Sequence, residues 1–220
     1  KATRPGLQSV AESAALLASG AMSSTEILEQ ALARASDPSG EGQRVFTQRY
    51  DERSLQEARA WDAARGARAV PTALAGLPVS VKDLFDVAGY VTTAGSRVLA
   101  DRAPASTYAA IIARLRRAGA VIVGKTNMTE FAFSGLGLNP HFGTPKNPFE
   151  RARGRIPGGS SSGAAISVTD GMAIAAIGTD TGGSVRIPAA LCGLVGFKPT
   201  AERIPLTGPI PLSRTLDSAG

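Results

Sequence analysis

The stretch Ser160–Thr200, SSSGAAISVTDGMAIAAIGTDTGGSVRIPAALCGLVGFKPT, changes hydrophobic period three times. SSSGAAISVTDG reads as a helix, MAIAAIGTD as a buried strand, SVRIPAALCG as a second helix and LVGFKPT as a second strand. Strand alternating with helix predicts an α/β fold, a central sheet covered by helices on both faces.

Working outward, AVIVGKT (Ala120–Thr126) reads as a short buried strand behind ASTYAAIIARLRRAG, an amphipathic helix. GLPVSVKDLFDV (Gly76–Val87) has the β-branched alternation of a strand. LGLNPHFGTPKNPFERARGRIP is rich in Pro, Gly and Asn and predicts a long loop, a kind of segment usually given to function or disorder. The first third reads as helices. SSTEILEQALARAS carries a capping box, Ser23 with Glu26, and DERSLQEARAWDAARG predicts a helix ended at Gly66, with the loop DPSGEGQ between them.

Composition narrows the function classes. With 43% hydrophobic and 19% charged residues the chain is of ordinary globular type, and scarce aromatics beside 25 glycines predict a closely packed, small-residue core. One cysteine, Cys192, excludes an internal disulfide and leaves too few thiols for a structural zinc site; a buried small hydrophobe is the expectation. No apolar run approaches the ~18 residues of a membrane span and the first residues lack a signal-peptide pattern, so a soluble cytoplasmic protein is expected. The net charge of +6 is scattered, without a basic stripe interleaved with aromatics, so it predicts a solvated surface rather than a nucleic-acid site. GAVIVGKT (Gly119–Thr126) matches a phosphate-loop pattern letter for letter, but its middle residues Ala, Val, Ile and Val favour a strand over a loop.

The chemistry concentrates in two glycine–serine clusters, IPGGSSSGAA and DTGGSVRIPAA. Glycine pairs open backbone angles closed to other residues and leave N–H groups unobstructed. Beside a helix start such groups form an anion nest, which is also what an oxyanion hole requires. Each cluster alone reads equally as an N-cap with a serine turn. A serine nucleophile needs a base, and the single histidine, His141, is stranded in NPHFGTPKNP. Lys82 offers another base: buried in low dielectric, a lysine becomes a neutral amine. Asp83 or Asp86 would instead hold it as an ordinary ion pair, and spacing does not decide between the two.

GGSSSGAA with GTDTGGSVRIPAALCGLVGFKPT, preceded by GLPVSVKD, GKTNMTEFAFSGLG and NPHFGTPKNP, resembles the conserved blocks of the amidase signature family from about residue 74 to the end. The resemblance implies the N-terminal part of that fold, a central mixed sheet with helices on both faces. Residues 1–70 are then a helical segment of the same domain, and 71–220 a signature core incomplete at its C-terminus. It implies a Ser–Ser–Lys triad: Ser184 as nucleophile, Ser160 as bridging serine entered by a cis Gly159–Ser160 bond, and Lys82 as base. The oxyanion hole falls to the N–H groups of Thr181, Gly182, Gly183 and Ser184. Asp180 and Arg186 hold the loop, Ser161 assists by hydrogen bonding, and the backbone of Ala132 lines the site. The implied reaction is hydrolysis of a small-molecule carboxylic amide through an acyl-serine, without metal or cofactor. Two alternatives stand: an amidotransferase component passing ammonia from glutamine to a charged tRNA, the one reading with a nucleic-acid partner, and an inactive fragment or binding module. A homodimer is compatible with any of these. The chain stops at SRTLDSAG without a cap, so a longer protein is expected.

Overall fold

The computed structural model describes residues 8–67, 69 and 72–220; the expected boundary at residues 70 and 71 lies outside them. Three helices come first, α1 (Val10–Ser19), α2 (Ser24–Ser36) and the single turn α3 (Gly42–Val45). The box of Ser23 and Glu26 caps α2, and a second one, Ser9 with Glu12, caps α1. Next come β1 (Phe46–Arg49), which the sequence reading passed over, and α4 (Asp51–Gly66). The remainder is β2 (Pro78–Lys82), α5 (Ala110–Arg117), β3 (Val121–Thr126), α6 (Ser162–Thr169), β4 (Ala175–Ile177), β5 (Thr179–Asp180), α7 (Arg186–Cys192) and β6 (Ser218–Ala219).

The main sheet is mixed, in the order β1-β3-β2-β4: β1 runs antiparallel to β3, while β2 lies parallel to both β3 and β4. Alternation along the strands sends Val79, Val81 and Ile122 to one face, where they pack with Ile112 of α5. On the other face Val121 and Val123 meet Leu28 of α2 and Ala58 of α4, and Ser80 bonds Ser167 of α6 at 2.8 Å. The sheet is therefore covered on both faces.

Three expected strands change. MAIAAIGTD divides at Gly178: β4 stays in the main sheet, whereas β5 crosses to a separate two-stranded sheet with β6. The cause is a distant partner: Gly178 exchanges both backbone hydrogen bonds with Gly220, 2.8 and 3.1 Å, and so continues toward β6 rather than along the main sheet. LVGFKPT forms no strand. Gly193 ends α7 in the left-handed region, the Leu194 N–H turns back to Ala189 O, and Val195 and Phe197 face solvent with no ladder to join. β2 is shorter than expected, since the N–H groups of Leu84 and Phe85 fold back onto Lys82 O and close a turn.

Candidate active site

Lys82 ends β2 with its side chain on the α6 face, fully buried. Its Nζ donates to Ser160 Oγ and to Thr179 Oγ1, each at 2.7 Å. Burial pushes its pKa down to about 7 against the opposing pull of the Asp180 and Asp217 charges. Neither neighbouring aspartate pairs with it. Asp83 lies 3.3 Å from Lys125 Nζ, and Asp86 accepts from Thr92 Oγ1 at 2.8 Å. Lys125, the lysine of the phosphate-loop look-alike, is thus held in a buried ion pair, and it also donates to Val91 O and Thr92 Oγ1. GAVIVGKT is a strand preceded by a turn.

Ser160 lies at the start of the α6 turn, behind Gly158 and Gly159, and the Gly159–Ser160 peptide is cis. Gly159 tolerates no side chain: a Cβ there would stand 2.6 Å from Gly137 N and 2.8 Å from Thr129 Oγ1. The Thr129 N–H donates to Ser160 O at 3.0 Å, and Ala132, buried beyond it, donates its N–H to Thr129 O at 2.9 Å. Ser161 joins the two clusters, its N–H donating to Ser184 O at 3.2 Å and its Oγ to Thr179 O at 3.4 Å.

The turn that carries Ser184 is built around Asp180. Its carboxylate accepts from the N–H groups of Gly183 (2.9 Å), Val185 (3.2 Å) and Arg186 (3.3 Å), and from Arg186 Nε and Nη2 at 3.0 and 2.9 Å. Burial works against its charge, but the Arg186 guanidinium and these N–H groups prevail and hold the carboxyl below its ordinary range. Gly183 adopts φ +131°, and a Cβ there would meet Ile187 Cδ1 at 2.7 Å, so the turn requires glycine. Of the four N–H groups from Thr181 to Ser184, that of Gly183 is directed into Asp180. Ser184 is 8% exposed, whereas Lys82 and Ser160 are fully enclosed. A group entering from solvent therefore reaches Ser184 first.

Two residues of this cluster escaped the sequence reading. Thr179 stands beside Asp180 in GTDTGGS, but nothing local shows that its hydroxyl meets a lysine from another strand. Asp217, far along the chain, accepts from Thr181 Oγ1 and from the Leu212 and Ser213 N–H groups. His141 is held elsewhere, its Nε2 3.1 Å from Glu130 Oε1. Among the described residues no group of three His, Cys, Asp or Glu side chains is placed to hold a metal.

The family model described as Amidase matches residues 26–220. A 2-amino-5-chloromuconic acid deaminase of Comamonas testosteroni is 48% identical over 77% of this chain and 39% of its own length. A glutamyl-tRNA(Gln) amidotransferase subunit of Oleidesulfovibrio alaskensis is 43% identical over 97% of the chain and 42% of its own. A crystal structure of an amidase superposes with a TM-score of 0.87 at 40% identity, covering 97% of this chain and 48% of that one. The chain thus spans less than half the length of the relatives it matches.

Proposed function

Since the chain belongs to the amidase family, we propose that it carries the catalytic centre of an enzyme that hydrolyses a small carboxylic amide through an acyl-serine. Ser184 Oγ attacks the carbonyl carbon. Its proton passes to Ser160, whose own proton passes to the neutral Lys82 amine. The oxyanion rests on the free N–H groups of the Thr181–Ser184 turn, with Gly183 contributing the bend and its N–H to Asp180. The proton returns by the same relay to the departing nitrogen, and water then releases the acid. The observation that carries this reading is the fully buried Lys82 amine 2.7 Å from Ser160 Oγ, with no carboxylate at contact distance to keep it charged. Ser161 bonds the two serine loops together, Asp180 and Arg186 brace the turn, and the Ala132 backbone borders the site. The packing of α2 and α4 against β3 supports placing residues 1–70 in the same domain as 71–220. No described helix is long and apolar enough to cross a membrane, and a cytoplasmic enzyme fits that.

A second reading has its own support, the extended identity to a component of a glutamyl-tRNA(Gln) amidotransferase, and would make glutamine the ammonia donor. One experiment addresses both. The full-length protein is treated with a fluorophosphonate and assayed for ammonia release from aliphatic, aryl and glutamine amides. The adduct is expected on Ser184 by peptide mass spectrometry; an adduct on Ser160 or Ser162 contradicts the mechanism. Release from glutamine alone, dependent on a co-purifying partner protein, selects the amidotransferase.

A further inference from the structure

We propose that Asp217 is a positioning residue for the proposed hydrolysis, fastening the 212–217 loop to the turn that presents Ser184. The proposal rests on the Ser–Ser–Lys reading above. The Ser184 turn is held from two sides. From within, Asp180 gathers the N–H groups of Gly183, Val185 and Arg186. From outside, the side-chain tie to its first residue is Thr181 Oγ1 donating to Asp217 Oδ1. The other oxygen of Asp217 accepts from Leu212 N at 2.9 Å and Ser213 N at 3.1 Å, which closes its own loop into a compact turn. That loop is also registered on the site, because Ser218, the next residue, pairs with Asp180, and Ala219 pairs with Thr179. One carboxylate therefore links the loop, the oxyanion turn and, through β5, the Thr179 hydroxyl that accepts from Lys82.

The charge has a second effect. The charged groups bearing on Lys82 are Asp180 and Asp217; its contacts are the neutral hydroxyls of Ser160 and Thr179. Asp180 is partnered by Arg186, whereas the donors to Asp217 are a hydroxyl and two N–H groups. Asp217 thus opposes deprotonation of the base, and a neutral residue in its place favours the free amine.

The test compares Asp217→Asn and Thr181→Val in the full-length protein. Asp217→Asn loses the charge and, with one oxygen replaced by an NH2 donor, cannot accept from Thr181 and from the Leu212 and Ser213 N–H groups together; Thr181→Val loses the tie and keeps the charge. For Asp217→Asn we expect kcat to fall at least ~10-fold with KM nearly unchanged, and the acid limb of kcat/KM to move to lower pH. For Thr181→Val we expect a similar fall in kcat with the acid limb in place. Parental kcat in both variants, or an unmoved acid limb in Asp217→Asn, overturns the proposal. Should Asp217→Asn fail to fold, Thr181→Val decides alone: lowered kcat at parental KM supports the proposal and parental kcat overturns it. Fluorophosphonate labelling of the parent keeps the two levels apart. No adduct on Ser184 overturns the triad reading and this proposal with it, whereas an adduct with either failing result above overturns this proposal only.

Discussion

Lys82 and Lys125 are equally inaccessible to solvent but differ in their neighbours. Lys125 faces the carboxylate of Asp83, while Lys82 faces two hydroxyls. The difference predicts distinct behaviour. With the Lys82 pKa near 7, protonation removes the base as pH falls, so kcat/KM should rise with pH through about 7 and decline tenfold per unit below it. Lys82→Ala should lower kcat by at least ~10², whereas His141→Ala, which removes only a pairing with Glu130, should leave it nearly intact. A pH–rate profile of the parent and single-point assays of both variants check this; a crippling His141→Ala contradicts the relay. Glycines and a polar residue in an apolar strand marked Lys82, Ser160 and Ser184 locally as candidates, while their grouping into a triad came from the family resemblance. The partner of Asp83 was not legible, since consecutive residues at a strand end leave in different directions and contact is settled across strands. Asp217 was illegible for the same reason at greater separation.

At the scale of elements, α6 is set by how closely its first turn approaches other backbone. A Cβ at Gly163 would stand 2.5 Å from Val45 O and 2.7 Å from Asn127 N, neither of which is a side chain able to yield. Gly163→Ala should therefore destabilise the protein by about 1–3 kcal/mol, read as a lower urea midpoint in the full-length protein, and should displace Ser160 along with the helix. An unchanged midpoint would mean the turn is free to shift. Periodicity located α2, α4, α5 and α6 because each contains a capping pair, a terminal glycine or an apolar stripe. It failed where a strand's existence depends on its partner. LVGFKPT has strand-like residues but nothing to pair with, and β1 lacks a long apolar run yet is held by β3. The same limit hid the division between β4 and β5, because a period of two persists through a change of sheet.

At the scale of the whole molecule, the sheet edge at β4 borders an apolar groove of about 340 Å³ lined by Val168, Ile174, Pro188, Ala189 and Val195. Val195 is 97% exposed and Phe197 71%. Surface of this kind marks an interaction site or an aggregation liability. Residues 1–220 expressed alone should accordingly self-associate; elution from size-exclusion chromatography as a 22.5 kDa monomer would contradict this. The transfer of the chain at Gly178 has a separate consequence. Lys82 belongs to one sheet and the Ser184 turn follows a strand of another, so the proposed proton relay would span a seam between two pieces rather than lie within one. Substitutions in residues 212–217, none of which belongs to a buried apolar cluster, would realign that seam while leaving the main-sheet core in place. Turnover and melting temperature are then free to drift independently over generations, with the pace of the chemistry written in a stretch of chain that adds little to the strength of the fold.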